Sequence, residues 1–378
     1  MPRIIIINRR YCPGEAWTGR ILAYARGLSE LGVQVVLCYL IGDKHRTKYK
    51  IDIPGVSVMN FWENDGFFAK RNRHLSYMLN LFRARKYIKK GDVVFIYNAE
   101  KWILKSCYKR EIRIYTEITE HPYVYDKNKK RSKRTIDKRM LRLKRCNGTC
   151  VISKNLKKYL ESVGIPKEKI CIVNILVDTQ RFLGLEKKTT EPYIAYCGVV
   201  SYNKDGVDQL IKSFALFHKE HPDYKLYIIG KGERDDTLEK LKKLATNLGI
   251  LENVVFTGFV DANKIPQILY DAKILALSRP KNLQAENGFP TKLGEYLMTG
   301  NPVIVTRVGE IPDFIIDRQN GILANPDDPN DFAEKLCWIA DNYPLAEKIG
   351  NKGKCLSLDF FSYKVQSQKL LEFIYATK

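Results

Sequence analysis

Long apolar runs are missing from this chain: no stretch of its 378 residues approaches the 18 or more needed for a membrane-spanning helix. The start, Met-Pro-Arg followed by four isoleucines, has no signal-peptide cleavage region, so a cytoplasmic protein is expected. A cysteine framework is missing too. Nine cysteines, an odd number and scattered, suit reduced thiols, and Cys146 and Cys150 have no second Cys pair or His-x-His partner for zinc. No short-period repeat is present. Acidic charge is scarce in the first half, where residues 1–185 hold 39 Lys and Arg against 16 Asp and Glu, a net of +23. Residues 186–378 hold 25 against 26, a net of −1, so the whole +22 excess lies in the first half. Such asymmetry points to two domains with different partners.

What is present fits two cores. The length exceeds one typical domain, and 45% hydrophobic content can fill both. Short apolar strands alternate with helices. Arg3 to Ile7 reads as a strand, Trp17 to Leu31 as a helix ended by Gly32, and Val33 to Leu40, Val93 to Tyr97, Ile112 to Thr116 and Thr149 to Ser153 as further strands. After a polar stretch at Glu186 to Glu191, the expected boundary, the pattern restarts with Tyr193 to Tyr196, Lys225 to Ile229, Val254 to Thr257, Ile274 to Leu277 and Val303 to Thr306. This order predicts α/β domains with parallel sheets covered on both faces. Phe360 to Ala376 reads as a final amphipathic helix.

Residues 289–305, Phe-Pro-Thr-Lys-Leu-Gly-Glu-Tyr-Leu-Met-Thr-Gly-Asn-Pro-Val-Ile-Val, carry the strongest functional signal. Pro290 and Thr291 open a short helix, Gly300 stops it, and an apolar strand follows. Free backbone N–H groups and the positive dipole end of such a helix suit a phosphate, and Lys292 adds a mobile cation. Thr291 and Glu295 share a helical face about 6 Å apart in rise. A diphosphate at Thr291 therefore leaves Glu295 near a ribose.

Taken alone, a Lys-x-x-Glu is an ordinary pair of first-turn charges. The whole string resembles the donor-binding segment of retaining glycosyltransferases of family 4, in the branch with a Phe-Pro-Ser/Thr-Lys-Leu-x-Glu-Tyr-Leu pattern. The resemblance implies an α/β GT-B fold: two Rossmann-like domains with mainly parallel sheets facing across a cleft. It assigns residues 1–186 to an acceptor and membrane-side domain and 187–358 to a nucleotide-sugar-binding domain. Residues 359–378 become a helix packing back on the first domain.

Further segments extend the resemblance, which covers residues 193–356 well and the first half weakly. Tyr196-Cys197-Gly198 ends a strand and Lys204-Asp205-Gly206 follows; the family sets the lysine matching Lys204 against the donor diphosphate. Gly230-Lys231-Gly232-Glu233 resembles the family's Gly-x-Gly-Glu loop, and Gly258-Phe259-Val260 the segment holding the nucleobase edge. Asp235 stands where a dinucleotide fingerprint needs its third glycine, which leaves NAD little support. In the first domain Gly14 resembles the family's phosphate-approaching glycine, and His121, in Glu117-Ile118-Thr119-Glu120-His121-Pro122 after a strand, could orient sugar or acceptor. Two departures bear on the donor. Asn287 stands where the family has its first Glu, so contacts to the sugar ring fall to Asn287, to neighbouring Glu286, or to the backbone of Gly288 and Phe289. Val199 replaces an arginine, leaving Lys204 and Lys292 at the diphosphate with Arg279 as helper. Leu293 completes the donor-segment residues.

No Asp-x-Asp occurs, the metal signature of the other glycosyltransferase fold. The resemblance thus implies a metal-independent transferase of hexosyl or N-acetylhexosaminyl type, with no cofactor, using a UDP- or GDP-sugar. The basic run Lys127 to Arg145 has apolar Ile136, Met140 and Leu143 at helical spacing and one acid, Asp137. It reads as a basic amphipathic helix for an anionic membrane surface, through Arg131, Lys133, Arg134, Lys138 and Arg142. Arg83, Arg85, Lys86, Lys89 and Lys90 form a second cluster. The expected acceptor is a lipid-linked saccharide or polysaccharide of the cell envelope. A nucleotide-sugar binder without turnover and a nucleic-acid-binding protein are the alternatives; the latter has charge alone and no motif, so no nucleic acid is expected.

Overall fold

The structure is a computed structural model that describes residues 3–42, 51–64, 72–97, 112–126 and 131–377. Lys127, Lys129 and Lys130 of the basic run lie outside the described residues. The chain divides into unit 1, Met1–Leu176 with Tyr363–Lys378, and unit 2, Val177–Ser362.

Unit 1 holds seven parallel strands in the order β3-β2-β1-β4-β5-β6-β7: β1 Ile4–Asn8, β2 Val35–Tyr39, β3 Val56–Asn60, β4 Val93–Tyr97, β5 Arg113–Ile118, β6 Gly148–Val151 and β7 Ile170–Ile172. The isoleucines of β1 sit between β2 and β4, with Ile4 opposite both Val35 and Val93, and are at most 1% exposed. A strand buried on both faces has no need of polar alternation. Helix α1, Ala16–Glu30, ends where Gly32 turns left-handed and Val33 N–H reaches back to Leu28 O at 3.0 Å, a Schellman closure. Then come α2 Arg73–Tyr87, α3 Pro122–Asp126, α4 Lys133–Met140 and α5 Lys154–Ser162.

Unit 2 holds six parallel strands in the order β10-β9-β8-β11-β12-β13: β8 Tyr193–Cys197, β9 Lys225–Ile229, β10 Val254–Gly258, β11 Ile274–Leu277, β12 Val303–Thr306 and β13 Ile322–Ala324. Its helices are α6 Tyr202–Asp205, α7 Val207–Phe217, α8 Thr237–Asn247, α9 Ile265–Asp271, α10 Leu283–Asn287, α11 Thr291–Met298, α12 Ile311–Phe314, α13 Pro329–Asp341 and α14 Tyr343–Leu356. The last helix, α15 Tyr363–Ala376, belongs to unit 1, where Leu370, Leu371 and Ile374 join the core around Ile21, Tyr24 and Tyr115.

The division falls after Leu176, ahead of the polar stretch at residues 186–191. That stretch packs on unit 2: Lys187 Nζ donates to Ala272 O at 3.1 Å and Asn301 Oδ1 at 3.0 Å, and Lys188 N–H to Asp271 Oδ1 at 2.8 Å. Its polarity satisfies buried acceptors and does not mark a linker. Among the described residues no helix is long and apolar enough to cross a membrane.

Candidate functional site

The glycine-terminated strands of unit 2 shape the site. β8, β9 and β10 run directly into Gly198, Gly230 and Gly258, with Gly198 N–H donating to Ile229 O and Gly230 N–H to Gly258 O, both at 2.9 Å. At Gly230 φ is +139°, and a Cβ there would stand 1.8 Å from Gly198 O. Only glycine allows the two chain turns to meet so closely. A Cβ on Gly198 would in turn meet Lys292 Nζ at 2.3 Å, so the bare backbone is what admits that lysine.

Lys292 lies in the first turn of α11. Its ammonium binds Asp205 Oδ2, donates to Tyr196 OH at 3.1 Å and sits 4.6 Å above the Tyr196 ring. Tyr196 OH donates to Asp205 Oδ2 at 2.7 Å. Asp205 ends the one-turn helix α6, capped at its start by Ser201, whose Oγ accepts from Lys204 N–H at 3.0 Å, and at its end by left-handed Gly206. Arg279, just past β11 and 3% exposed, brings its Nε to 3.9 Å from Asp205 Oδ1. Burial pushes the Asp205 carboxyl up, but Lys292, Arg279 and the two hydrogen bonds outweigh it and hold it below its ordinary value. Burial lowers the Lys292 ammonium, with Asp205 pulling it back and the nearby Lys204 charge lowering it further. Arg279 and Lys292 thus share one carboxylate, and Lys204 lies close enough to Lys292 for their charges to repel. Cationic side chains gather at one end of a parallel sheet, an arrangement that suits an anion such as a diphosphate.

Glu295, one turn along α11, is bound by Arg181 Nη1, while Arg181 Nη2 donates to Ala262 O at 2.6 Å. Arg181, in the 3₁₀ turn Thr179–Phe182, therefore ties Glu295 to the loop that continues Gly258, Phe259 and Val260. Phe259 is 58% exposed with Lys231 Nζ 4.5 Å above its ring, and Val260 is half-buried. Burial pushes the Cys197 thiol up to about 12, helped by the Glu295 carboxylate. Glu286 and Asn287, on α10, are both half-buried, and Asn287 Nδ2 donates to Leu283 O of its own helix at 2.9 Å. Gly288 N–H closes that helix on Gln284 O at 3.0 Å.

Two motif residues are committed elsewhere. The Phe289 ring packs on Phe314 at 5.3 Å and Phe361 at 5.5 Å, and Leu293 is fully buried, so both side chains belong to the core. Thr291 is half-buried at the helix start.

In unit 1, Gly14 is exposed in the loop between β1 and α1 at φ +82°. His121 is 5% exposed and packed between the rings of Tyr123 at 4.7 Å and Tyr159 at 4.3 Å; its Nδ1 accepts from Tyr123 N–H at 3.3 Å. Burial lowers its imidazole, with Asp137 opposing. Asp137 accepts from both tyrosine hydroxyls, at 2.8 and 2.9 Å, so the single acid of the basic run is turned inward. Arg131, Lys133, Arg134, Lys138 and Arg142 are exposed, and Ile136 and Leu143 are buried. The expected single helix through this run is instead α4 followed by a 3₁₀ turn, Leu141–Arg145. The sequence reading did not single out Asp205, Tyr196, Arg181 or the Arg20–Glu117 pair, which is buried in unit 1 with Nη2 to Oε1 at 2.6 Å. For Asp205 the available signal was its place between Lys204 and Gly206.

Two family models match: "Glycosyltransferase Family 4" over residues 20–181 and "Glycosyl transferases group 1" over residues 179–355. An uncharacterized glycosyltransferase of Methanocaldococcus jannaschii is 25% identical over 82% of this chain and 77% of that protein. Another from that organism is 26% identical over 54% of this chain and 53% of the relative. The GDP-mannose-dependent alpha-(1-6)-phosphatidylinositol monomannoside mannosyltransferase of Mycolicibacterium smegmatis is 26% identical over 45% of this chain and 44% of its own length. The chain thus spans about half the length of these last two relatives. Among solved structures, Anabaena HepE in complex with UDP and glucose superposes with TM-score 0.75 at 15% identity, covering all of both chains. Sucrose-phosphate synthase of Thermosynechococcus elongatus does so with TM-score 0.76 at 16% identity, again over both whole chains.

Proposed function

We infer the activity from one premise: the chain belongs to the GT-B glycosyltransferase superfamily. We propose that it is a retaining transferase moving a hexosyl or N-acetylhexosaminyl group from a UDP- or GDP-sugar to a lipid-linked saccharide or polysaccharide acceptor, at the cytoplasmic face of a membrane. The observation that carries this is the Lys292–Asp205–Arg279 cluster with Lys204 beside the glycine ends of β8 and β9. Its cations oppose the charge that develops on a departing nucleoside diphosphate, so the protein's own side chains supply the stabilisation. Asp205 and Tyr196 hold the Lys292 ammonium in place, which limits reorganisation as the bond breaks. Glu295, fixed by Arg181, faces the ribose hydroxyls one turn away. In the step itself the C1–O bond to the phosphate breaks and the acceptor oxygen bonds C1 on the same face. The acceptor proton passes to the departing phosphate oxygen, and positioning supplies the rest of the rate.

The exposed cations of α4, whose one acid, Asp137, is turned toward Tyr123 and Tyr159, support the membrane surface as the working place. Asn287 and Val199, at positions where the family has Glu and Arg, favour a second reading, a nucleotide-sugar binder without turnover. Saturation-transfer NMR against a panel of nucleotide-sugars, followed by product analysis with a diphosphate-lipid acceptor, tests both. Binding with product supports the transferase, binding without product the second reading, and no binding refutes both.

A further inference from the structure

α2 is apolar on two sides. Tyr77, Leu81, Ala84 and Ile88 are buried within unit 1, as a surface helix requires. On the opposite side Leu75, Met78, Leu79 and Phe82 recur at i, i+3, i+4 and i+7, and they are 42%, 38%, 40% and 56% exposed. An outward stripe of four large apolar side chains is an interaction surface. One turn beyond Phe82, Lys86 holds its ammonium 4.6 Å over the Phe82 ring, and the exposed Lys89 and Lys90 follow. Residues 72–91 contain six Lys and Arg and no Asp or Glu.

We propose that this stripe is a membrane-penetrating face: Leu75, Met78, Leu79 and Phe82 seat at the boundary between headgroups and acyl chains of an anionic bilayer. Lys86, Lys89 and Lys90 lie on the headgroups. The assignment rests on the membrane-surface reading above and names the element that enters the lipid. Charge selects the bilayer over a second copy of the chain. A two-fold pairing of this face sets residues 72–91, which carry no Asp or Glu, against themselves, so that segment brings cations and no carboxylate to its partner copy. Anionic lipid accepts the apolar stripe and the cations together. Topology agrees. α2 lies on the β3-to-β4 connection and α4 on the β5-to-β6 connection, and both run the same way along the sheet order. Right-handed crossovers then place them on one face of the sheet, opposite α1, so the cations of α4 and the stripe of α2 share a side.

The test uses the full chain and vesicles of phosphatidylglycerol mixed with phosphatidylcholine. Leu79→Gln with Phe82→Gln is expected to weaken partitioning at physiological salt by roughly tenfold to a hundredfold, with low-salt association retained by the lysines. Lys86→Gln with Lys89→Gln and Lys90→Gln is expected to lose about a hundredfold at low salt. Phe82→Trp is expected to give emission quenched by lipids brominated on their acyl chains. Wild-type partitioning of the Leu79/Phe82 variant at every salt concentration, or an unquenched tryptophan, overturns the proposal. So does a concentration-dependent dimer that the same variant abolishes, which makes a second copy the occupant. Nucleotide-sugar binding measured on these proteins without vesicles separates the two readings. A chain that binds no nucleotide-sugar yet inserts Phe82→Trp into lipid refutes the transferase and leaves this face standing; normal donor binding without insertion refutes the face alone.

Discussion

Replacing Lys292 with methionine separates its contact with Asp205 from the phosphate role proposed for it. Its ammonium is the counter-ion of Asp205, which is 2% exposed, and Lys292 itself is 15% exposed. Removing one partner of a buried ion pair costs about 3–5 kcal/mol when nothing else compensates. Here Asp205 keeps Tyr196 OH at 2.7 Å and Arg279 Nε at 3.9 Å. The loss is therefore expected at about 1–3 kcal/mol, with methionine filling the space of the lysine stem. In a unit of this size each kcal/mol moves the melting temperature by about 2–4 °C, giving a fall of roughly 3–10 °C. Lys204 is half-buried on a one-turn helix, and Lys204→Met is expected to leave the melting temperature within about 2 °C. Turnover responds differently. At the proposed phosphate site each substitution removes one cation from the leaving diphosphate, worth about 2–4 kcal/mol in the transition state, so both are expected to reduce kcat roughly a hundredfold or more. Scanning calorimetry and nucleoside diphosphate release from the preferred donor measure the two effects. Wild-type turnover in both variants refutes the phosphate site, and an unshifted melting temperature for Lys292→Met refutes the structural half of the argument.

Glu295→Gln keeps the side-chain shape but weakens charge-assisted bonds, so nucleoside diphosphate affinity is expected to fall roughly tenfold; an unchanged Kd by calorimetry leaves Glu295 as the partner of Arg181 alone. Gly230→Ala places its methyl 1.8 Å from Gly198 O at φ +139°, and a loss of about 3 kcal/mol or more is expected in urea unfolding; a wild-type midpoint disproves the close approach. The folded-state pKa of Asp205 lies below its unfolded value of 3.8, so the unfolded chain takes up that proton first. Its contribution is present above about pH 4 and is lost as pH falls through the folded value, and Asp205→Asn is expected to flatten that acid limb; equal slopes for variant and wild type contradict it. Replacing Arg131, Lys133, Arg134, Lys138 and Arg142 by Gln removes about 5 kcal/mol of attraction to anionic lipid, so vesicle sedimentation at low salt drops while donor binding persists. Equal loss of donor binding sinks the separation of tasks.

The interior of both sheets was legible in the sequence, and their rims mostly were not. Val93–Tyr97, Lys225–Ile229, Ile274–Leu277 and Val303–Thr306 fall where the apolar runs put them. The strands missed were β3, β7 and β13, all at sheet edges, where Val-Ser-Val-Met-Asn and the three-residue Ile-Cys-Ile and Ile-Leu-Ala carry little period or length. In the site, Lys292 was visible from the helix start it follows, and Lys204 and the strand-end glycines through the family resemblance. Asp205 and Arg181 were not, because each meets its partner across 87 and 114 positions of sequence. Phe289 and Leu293 show the converse: some residues of the motif are core.

α15 has a consequence for the order of assembly. Gly27 of α1 sits so close to Ser367 that an added Cβ would stand 2.3 Å from its Oγ, and Tyr115 OH in β5 donates to Ile374 O at 3.1 Å. Unit 1 begins the chain, yet part of its core is encoded after the whole of unit 2. During synthesis the second unit can close first, while the first waits with the apolar side of α1 uncovered until residues 363–376 have been made. Contacts of such long sequence separation form slowly. A growing chain therefore carries an unfinished first unit through most of its translation, and chaperone demand is expected to track the delay before α15 rather than the length of either unit.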